Sequence, residues 1–130
     1  MNTIAIKINN TKSSFDYAFF YNNNLISSFS VNTIFIKDVP FEKIIDSIVE
    51  ICSIFNIIDK PEYKTEIIKD VVFNNKTYDV KEYIFKTGKN FQCLRTCSTT
   101  DLKSFLIELS LILNIEFEVF DCANKKRVED

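Results

Sequence analysis

Histidine and Trp are absent from the 130 residues, Gly occurs once and Pro twice. Without His there is no Ser-His or Cys-His nucleophile pair, no imidazole base and none of the nitrogen ligands that zinc most often takes. With Gly88 alone, neither a G-x-x-x-x-G-K-[ST] phosphate loop nor a G-x-G-x-x-G dinucleotide fingerprint can be written in the chain. Catalysis would fall to carboxylates, Lys, Tyr or a lone thiol, so the chain is expected not to be an enzyme and to hold no cofactor and no metal. An apolar run of about twenty residues, long enough to span a bilayer, is missing too. So is a basic leader with an apolar stretch behind it, since the chain opens Met1-Asn2-Thr3-Ile4-Ala5-Ile6-Lys7. The expectation is a soluble, cytoplasmic protein with no membrane partner and no small-molecule substrate.

What is present suffices for one core. Hydrophobic residues make up 46% and charged residues 26%, with thirteen Phe and five Tyr. A chain of this size buries roughly two thirds of the surface that its unfolded form exposes. Net charge is −2 with a pI near 5.2, which argues against a general electrostatic grip on nucleic acid and favours a basic partner. Four cysteines are too few for a disulfide framework at this length. Cys93 and Cys97 would lie about 13 Å apart along one strand, too far to ligate one ion. Cys52 and Cys122 complete the set, and all four are read as small buried or half-buried thiols.

Alternation dominates the first third. Ile4, Ile6 and Ile8 share one parity, as do Phe15, Tyr17, Phe19 and Tyr21, and Asn22-Asn23-Asn24 turns the chain into a third strand from Leu25 to Val31. The run from Thr33 to Ile36 extends that strand or forms another. Asp38-Val39-Pro40 signals a helix start, and Phe41, Ile44, Ile45, Ile48, Cys52 and Phe55 form an apolar stripe that Asn56 stops. Strands are expected again over Thr65–Phe73, Thr77–Phe85 and Phe91–Cys97, joined at Asn74-Asn75-Lys76 and Thr87-Gly88-Lys89-Asn90, with a bulge near Lys81-Glu82. Ser98 or Thr99, with Asp101, opens a second helix with a stripe of Leu102, Phe105, Leu106, Leu109, Ile112 and Leu113. It is also apolar at Ile107 and Leu111, and is therefore expected to be the more buried helix. A last strand alternates Ile115, Phe117 and Val119 against Glu116 and Glu118.

The order strands, helix, strands, helix, strand predicts an α+β domain over residues 1–122, an antiparallel or mixed sheet in two meanders with both helices packed on it. Residues 123–130 are expected to fray. The core is expected to draw on Ile44, Ile48, Phe55, Phe105, Leu106 and Leu109. The aromatic set of the second strand is read as sheet-face core, because no basic residue accompanies it as a stacking platform for single strands would need.

Carboxylates supply the candidate site. Glu42, Asp46 and Glu50 stand at four-residue steps on the polar side of the first helix, with Asp38 at its start. Like charges at that spacing cost a helix a few tenths of a kcal/mol per pair, although Asp38 and Glu42 lie near its positive end and Lys43 is within reach of Asp46. The stripe is either a solvated helix face or a surface for a basic partner; in both cases it would be independent of folding, and replacing Glu42, Asp46 and Glu50 by Gln would leave stability equal or slightly higher. Glu116, Glu118 and Asp121 form a second acidic group that joins the first if the fold brings them together.

A small, acidic α+β chain with Asn-rich turns, no active-site motif and the acidic face just named resembles the immunity proteins of bacterial toxin–immunity pairs, including those of contact-dependent growth inhibition. The resemblance implies an inhibitor that binds a cognate protein toxin, often a nuclease with a basic surface, and occupies a cleft built for phosphates. The strand-rich halves each closed by a helix also resemble the Whirly or PUR type of single-strand-binding fold, which implies nucleic-acid binding as the alternative. That alternative lacks its usual basic strand surface here.

Overall fold

Period-two alternation builds three antiparallel strands at the start of the chain, β1 (Asn2–Asn10), β2 (Ser14–Tyr21) and β3 (Asn24–Asn32). The computed structural model describes residues 2–32, 39–58, 61–87, 89–121 and 126–128. The run from Thr33 to Ile36 lies outside them. Asn22 and Asn23 both sit at positive φ between β2 and β3, the conformation that a two-residue hairpin loop matched to strand twist requires. Asn74 and Asn75 do the same between β4 (Glu62–Phe73) and β5 (Lys76–Thr87). Asn thus carries the left-handed positions that Gly usually takes.

Helix α1 (Phe41–Ile54) ends in a Schellman arrangement. Asn56 takes positive φ, its N–H donates to the Ser53 carbonyl at 3.4 Å, and the Ile57 N–H donates to the Cys52 carbonyl at 3.0 Å. Pro40 occupies the N-cap, and among the described residues no side chain caps that end. Helix α2 (Leu102–Leu113) follows β6 (Asn90–Thr96) and is capped by Asp101, whose carboxylate accepts from the Ser104 N–H at 2.7 Å. Asn114, again left-handed, closes α2 and leads into β7 (Ile115–Asp121). No helix is long and apolar enough to cross a membrane among the described residues.

The strands form two sheets. One has the order β3-β2-β1-β7-β8, mixed because β1 runs antiparallel to β2 but parallel to β7. Its last member, β8 (Lys126–Val128), pairs with β7 in the segment that the sequence reading leaves as a fraying tail. The other sheet is the antiparallel meander β4-β5-β6. The fold is α+β with two meanders, as expected, and the meanders are distributed over separate sheets.

One buried cluster draws on both. The inner face of the five-stranded sheet contributes Ile4, Ile6, Tyr17, Phe19, Val31, Ile115, Phe117 and Val119, in register across its strands, as with Phe19 beside Ile6 and Ile6 beside Val119. Helix α1 packs on β2 and β3, whereas α2 packs on β7 and β6. The Phe41 and Phe105 rings, 4.6 Å apart, join the two helices. The three-stranded sheet adds Tyr83, Phe85 and Leu94. Each fully buried Ile or Phe is worth roughly 1.5–3 kcal/mol of gross burial.

Three expectations need correction. Phe55, assigned to the core, is 38% exposed and leans on the Tyr21 ring at 4.6 Å, because it is the C-cap residue and the chain turns away there. Helix α2 is not the more buried helix, since Leu111 is 77% exposed and Ile107 is open too. Both helices touch both sheets, but α2 buries Phe105, Leu106, Leu109 and Leu113 against β6 and β7 and leaves Ile107 and Leu111 outside that contact. The bulge lies on β4, where register shifts between Ile68 and Val71 with Asp70 at positive φ, and not at Lys81-Glu82 in the strand opposite.

Candidate functional site

On α1 the helical period places Glu42, Asp46 and Glu50 along one flank, and the three-stranded sheet answers the first two. Lys81 Nζ of β5 stands 2.6 Å from Glu42 Oε2. The Tyr63 hydroxyl of β4 donates to Asp46 Oδ1, while its ring packs against Tyr83 and Phe85 at 6.1 and 5.5 Å. Burial, followed by the hydrogen bond to Asp46 and the nearby carboxylates, pushes the Tyr63 phenol well above its ordinary value. The bond to Glu42 raises Lys81 in turn. The Glu42–Lys81 pair is well exposed and worth at most about 1 kcal/mol.

The like-charge spacing on α1 therefore has a structural cause. Two of its carboxylates tie the helix to the second sheet, so the stripe is not independent of folding, and the Gln replacements are now expected to cost stability. Glu50 alone is exposed without a partner among the described residues. Asp38 lies outside the described residues.

The second acidic group stands elsewhere. Glu116 and Glu118 share the parity opposite to buried Ile115, Phe117 and Val119, so they face away from the helices. Asp121 follows the inner parity and lines a small cavity with Lys103, Phe15 and Ile8. The fold keeps this group apart from the α1 stripe and divides it between two faces.

A cleft of about 500 Å³ opens between the start of α1, β5 and the β6–α2 turn, with Glu42, Lys81, Tyr83, Thr96 and Cys97 among its lining residues. Its polar groups answer one another. Lys81 is held as a cation by Glu42, and burial raises the Tyr83 phenol, so neither offers a base near neutral pH. Cys97 is lowered by the Thr99 hydroxyl, 3.1 Å from its sulfur, with Thr100 behind it, and neither hydroxyl is basic enough to take its proton near neutral pH. Cys52 is buried and pushed up to about 11. Cys93, read as half-buried or buried, is exposed, because the outer face of β6 has no cover. Cys122 lies outside the described residues. Among the described residues no group of three or more His, Cys, Asp and Glu side chains stands close enough to hold a metal ion. Tyr17 and Phe19 are buried, so the aromatic set of β2 offers no open stacking face.

Sequence reasoning missed two displays of apolar side chains. At the end of α1, Ile54 is 54% exposed next to Phe55, whose ring meets Tyr21, one turn from Glu50. The distal half of the β4–β5 hairpin forms the other, with Ile67, Val72 and Phe73 exposed, since β6 pairs with β5 only from Lys81 to Thr87. The lengths of the patterned runs on either side of Asn74-Asn75, set against the short run after Gly88, carried that signal.

No family model, curated protein or solved structure matches the chain.

Proposed function

We propose that the chain is a non-catalytic binding protein that neutralises a cognate protein toxin with a basic surface, a nuclease domain being the class whose phosphate-binding cleft such a protein would fill. The observation that carries this reading is the end of α1, where exposed Ile54 adjoins half-exposed Phe55, whose ring lies against Tyr21, with Glu50, a carboxylate without a partner among the described residues, one turn away. An apolar, aromatic centre edged by charge is the anatomy of a protein interface. Glu42 and Asp46 continue the acidic edge while also holding the second sheet, and a net charge of −2 favours approach to a basic partner.

The test is co-expression with the protein encoded next to this one. That neighbour should arrest growth when expressed alone and be silenced by this chain. Ile54→Ser, which should leave folding intact at so exposed a site, is expected to weaken binding about tenfold or more. Glu50→Lys should slow association and flatten its salt dependence. A non-toxic neighbour, or rescue unaffected by both variants, would sink the proposal.

A further inference from the structure

The β4 edge of the three-stranded sheet is open. The strand pairs with β5 on one side and, among the described residues, with no strand on the other. Its regular part is bounded by Pro61 on one end and by the Ile68/Val71 register shift on the other, which leaves Glu62–Ile68, a stretch centred on Thr65. Flanking that centre are Lys64 and Glu66, opposite charges, both exposed and without a partner among the described residues. Glu66 stands directly opposite Glu82 of β5, an unfavourable like-charge neighbour. Arg95 answers Glu82 at 2.7 Å, so Glu66 is left in want of a cation on its free side.

We propose that this edge pairs with the same edge of a second copy of the chain, antiparallel and centred on Thr65, to join two three-stranded sheets into one. A two-fold axis normal to a continuous sheet keeps every residue on its own face, so only registers centred on a residue are allowed. Centring on Lys64 would set Lys64 against itself and Glu62 against Glu66. Centring on Glu66 would set Glu66 against itself. Centring on Ile67 would run the pairing into the bulge. Centring on Thr65 sets Lys64 opposite Glu66 twice over, supplies the cation that Glu66 lacks, and places Ile67, 64% exposed, opposite the partner's Tyr63. Centring on Tyr63 would also set Lys64 opposite Glu62, but it carries the pairing into Pro61, which has no N–H to give. An unbroken ladder with charge and apolar complementarity thus selects one register out of five. The proposal uses none of the residues at the end of α1 and stands or falls separately from the reading above.

Sedimentation equilibrium over a concentration series tests it with the isolated chain. The parent should pass from monomer to dimer as concentration rises. Lys64→Glu and Glu66→Lys, each placing like charges opposite one another twice, should each weaken the dimer at least about tenfold while circular dichroism stays that of the parent. The double variant, with both charges exchanged, should dimerise like the parent, and an equimolar mixture of the two single variants should form a heterodimer. A parent that stays monomeric to about 1 mM, or a dimer indifferent to both single variants, overturns the proposal.

Discussion

The two sheets are built from the same vocabulary of Ile, Val, Phe and Tyr at alternate positions, yet they treat those residues in opposite ways. In the five-stranded sheet the inner parity is covered by both helices and is almost wholly buried. In the three-stranded sheet β4 has no fully buried residue, and Val72 is 69% exposed although its neighbourhood reads as strongly strand-forming. Alternation makes a strand; burial needs a cover. Beyond Lys81 the hairpin has neither a third strand nor a helix against it among the described residues, and a two-stranded ribbon of that kind is marginal alone in water. It is held by its root, where Tyr63, Tyr83 and Lys81 meet α1, and by the left-handed pair Asn74 and Asn75 at its tip.

This contrast can be broken by measurement. The largest effect is expected at Phe19, fully buried on the inner face, where Phe19→Ala should cost about 3–5 kcal/mol in denaturant unfolding. A loss under about 1 kcal/mol there would mean that the covered sheet is not the main core. At the junction between the sheets, Tyr63→Phe removes the hydroxyl that donates to Asp46 and keeps the ring, for an expected loss of about 1 kcal/mol. The same variant probes alkaline stability. The phenols of Tyr17, Tyr63 and Tyr83 are all raised in the folded state, chiefly by burial, so the unfolded chain gives up its protons first as pH rises. Their contribution is complete below the ordinary tyrosine value of about 10 and is lost as pH climbs through the folded values. Stability should therefore fall above about pH 10, less steeply in Tyr63→Phe than in the parent, and equal slopes would deny Tyr63 its raised value. The smallest effect is expected on the hairpin, where Val72→Ser should change stability by no more than about 0.5 kcal/mol and its amides should exchange fastest. A Val72→Ser loss like that of Phe19→Ala would show that the hairpin is covered after all.

Elements whose cause is local were legible before any coordinates. The stop at Asn56 and the turns at Asn22-Asn23 and Asn74-Asn75 are decided within a few residues and lie where they were expected, whereas α2 is capped by Asp101 itself and not by Ser98 or Thr99. The buried faces of β1, β2 and β7 followed from period two, and that of α1 from the helical period, apart from Phe55 at its end. What failed depends on distant partners. Ile107 and Leu111 read as buried because nothing in α2 itself shows on which side β6 and β7 will lie. The bulge was assigned to the wrong strand of a pair because parity slips look alike from either side. The α1 carboxylates looked free of the fold because Lys81 and Tyr63, which answer them, belong to a sheet whose position no local pattern announces.

Strand β1 lies in the middle of its sheet, with Asn2 opposite Ile115 in a parallel pairing between stretches nearly the whole chain apart. During synthesis β1 can pair with β2 at once, but its other edge stays open until both helices, the three-stranded sheet and then β7 have been made. Closure of that edge brings a large entropic cost late in folding, so the rate of the final step should be set by the search of β7 for β1 and not by the helices. Throughout that wait the nascent chain carries an exposed Ile4-Ile6-Ile8 strand, and it is this interval, more than the finished fold, in which the protein is most open to aggregation.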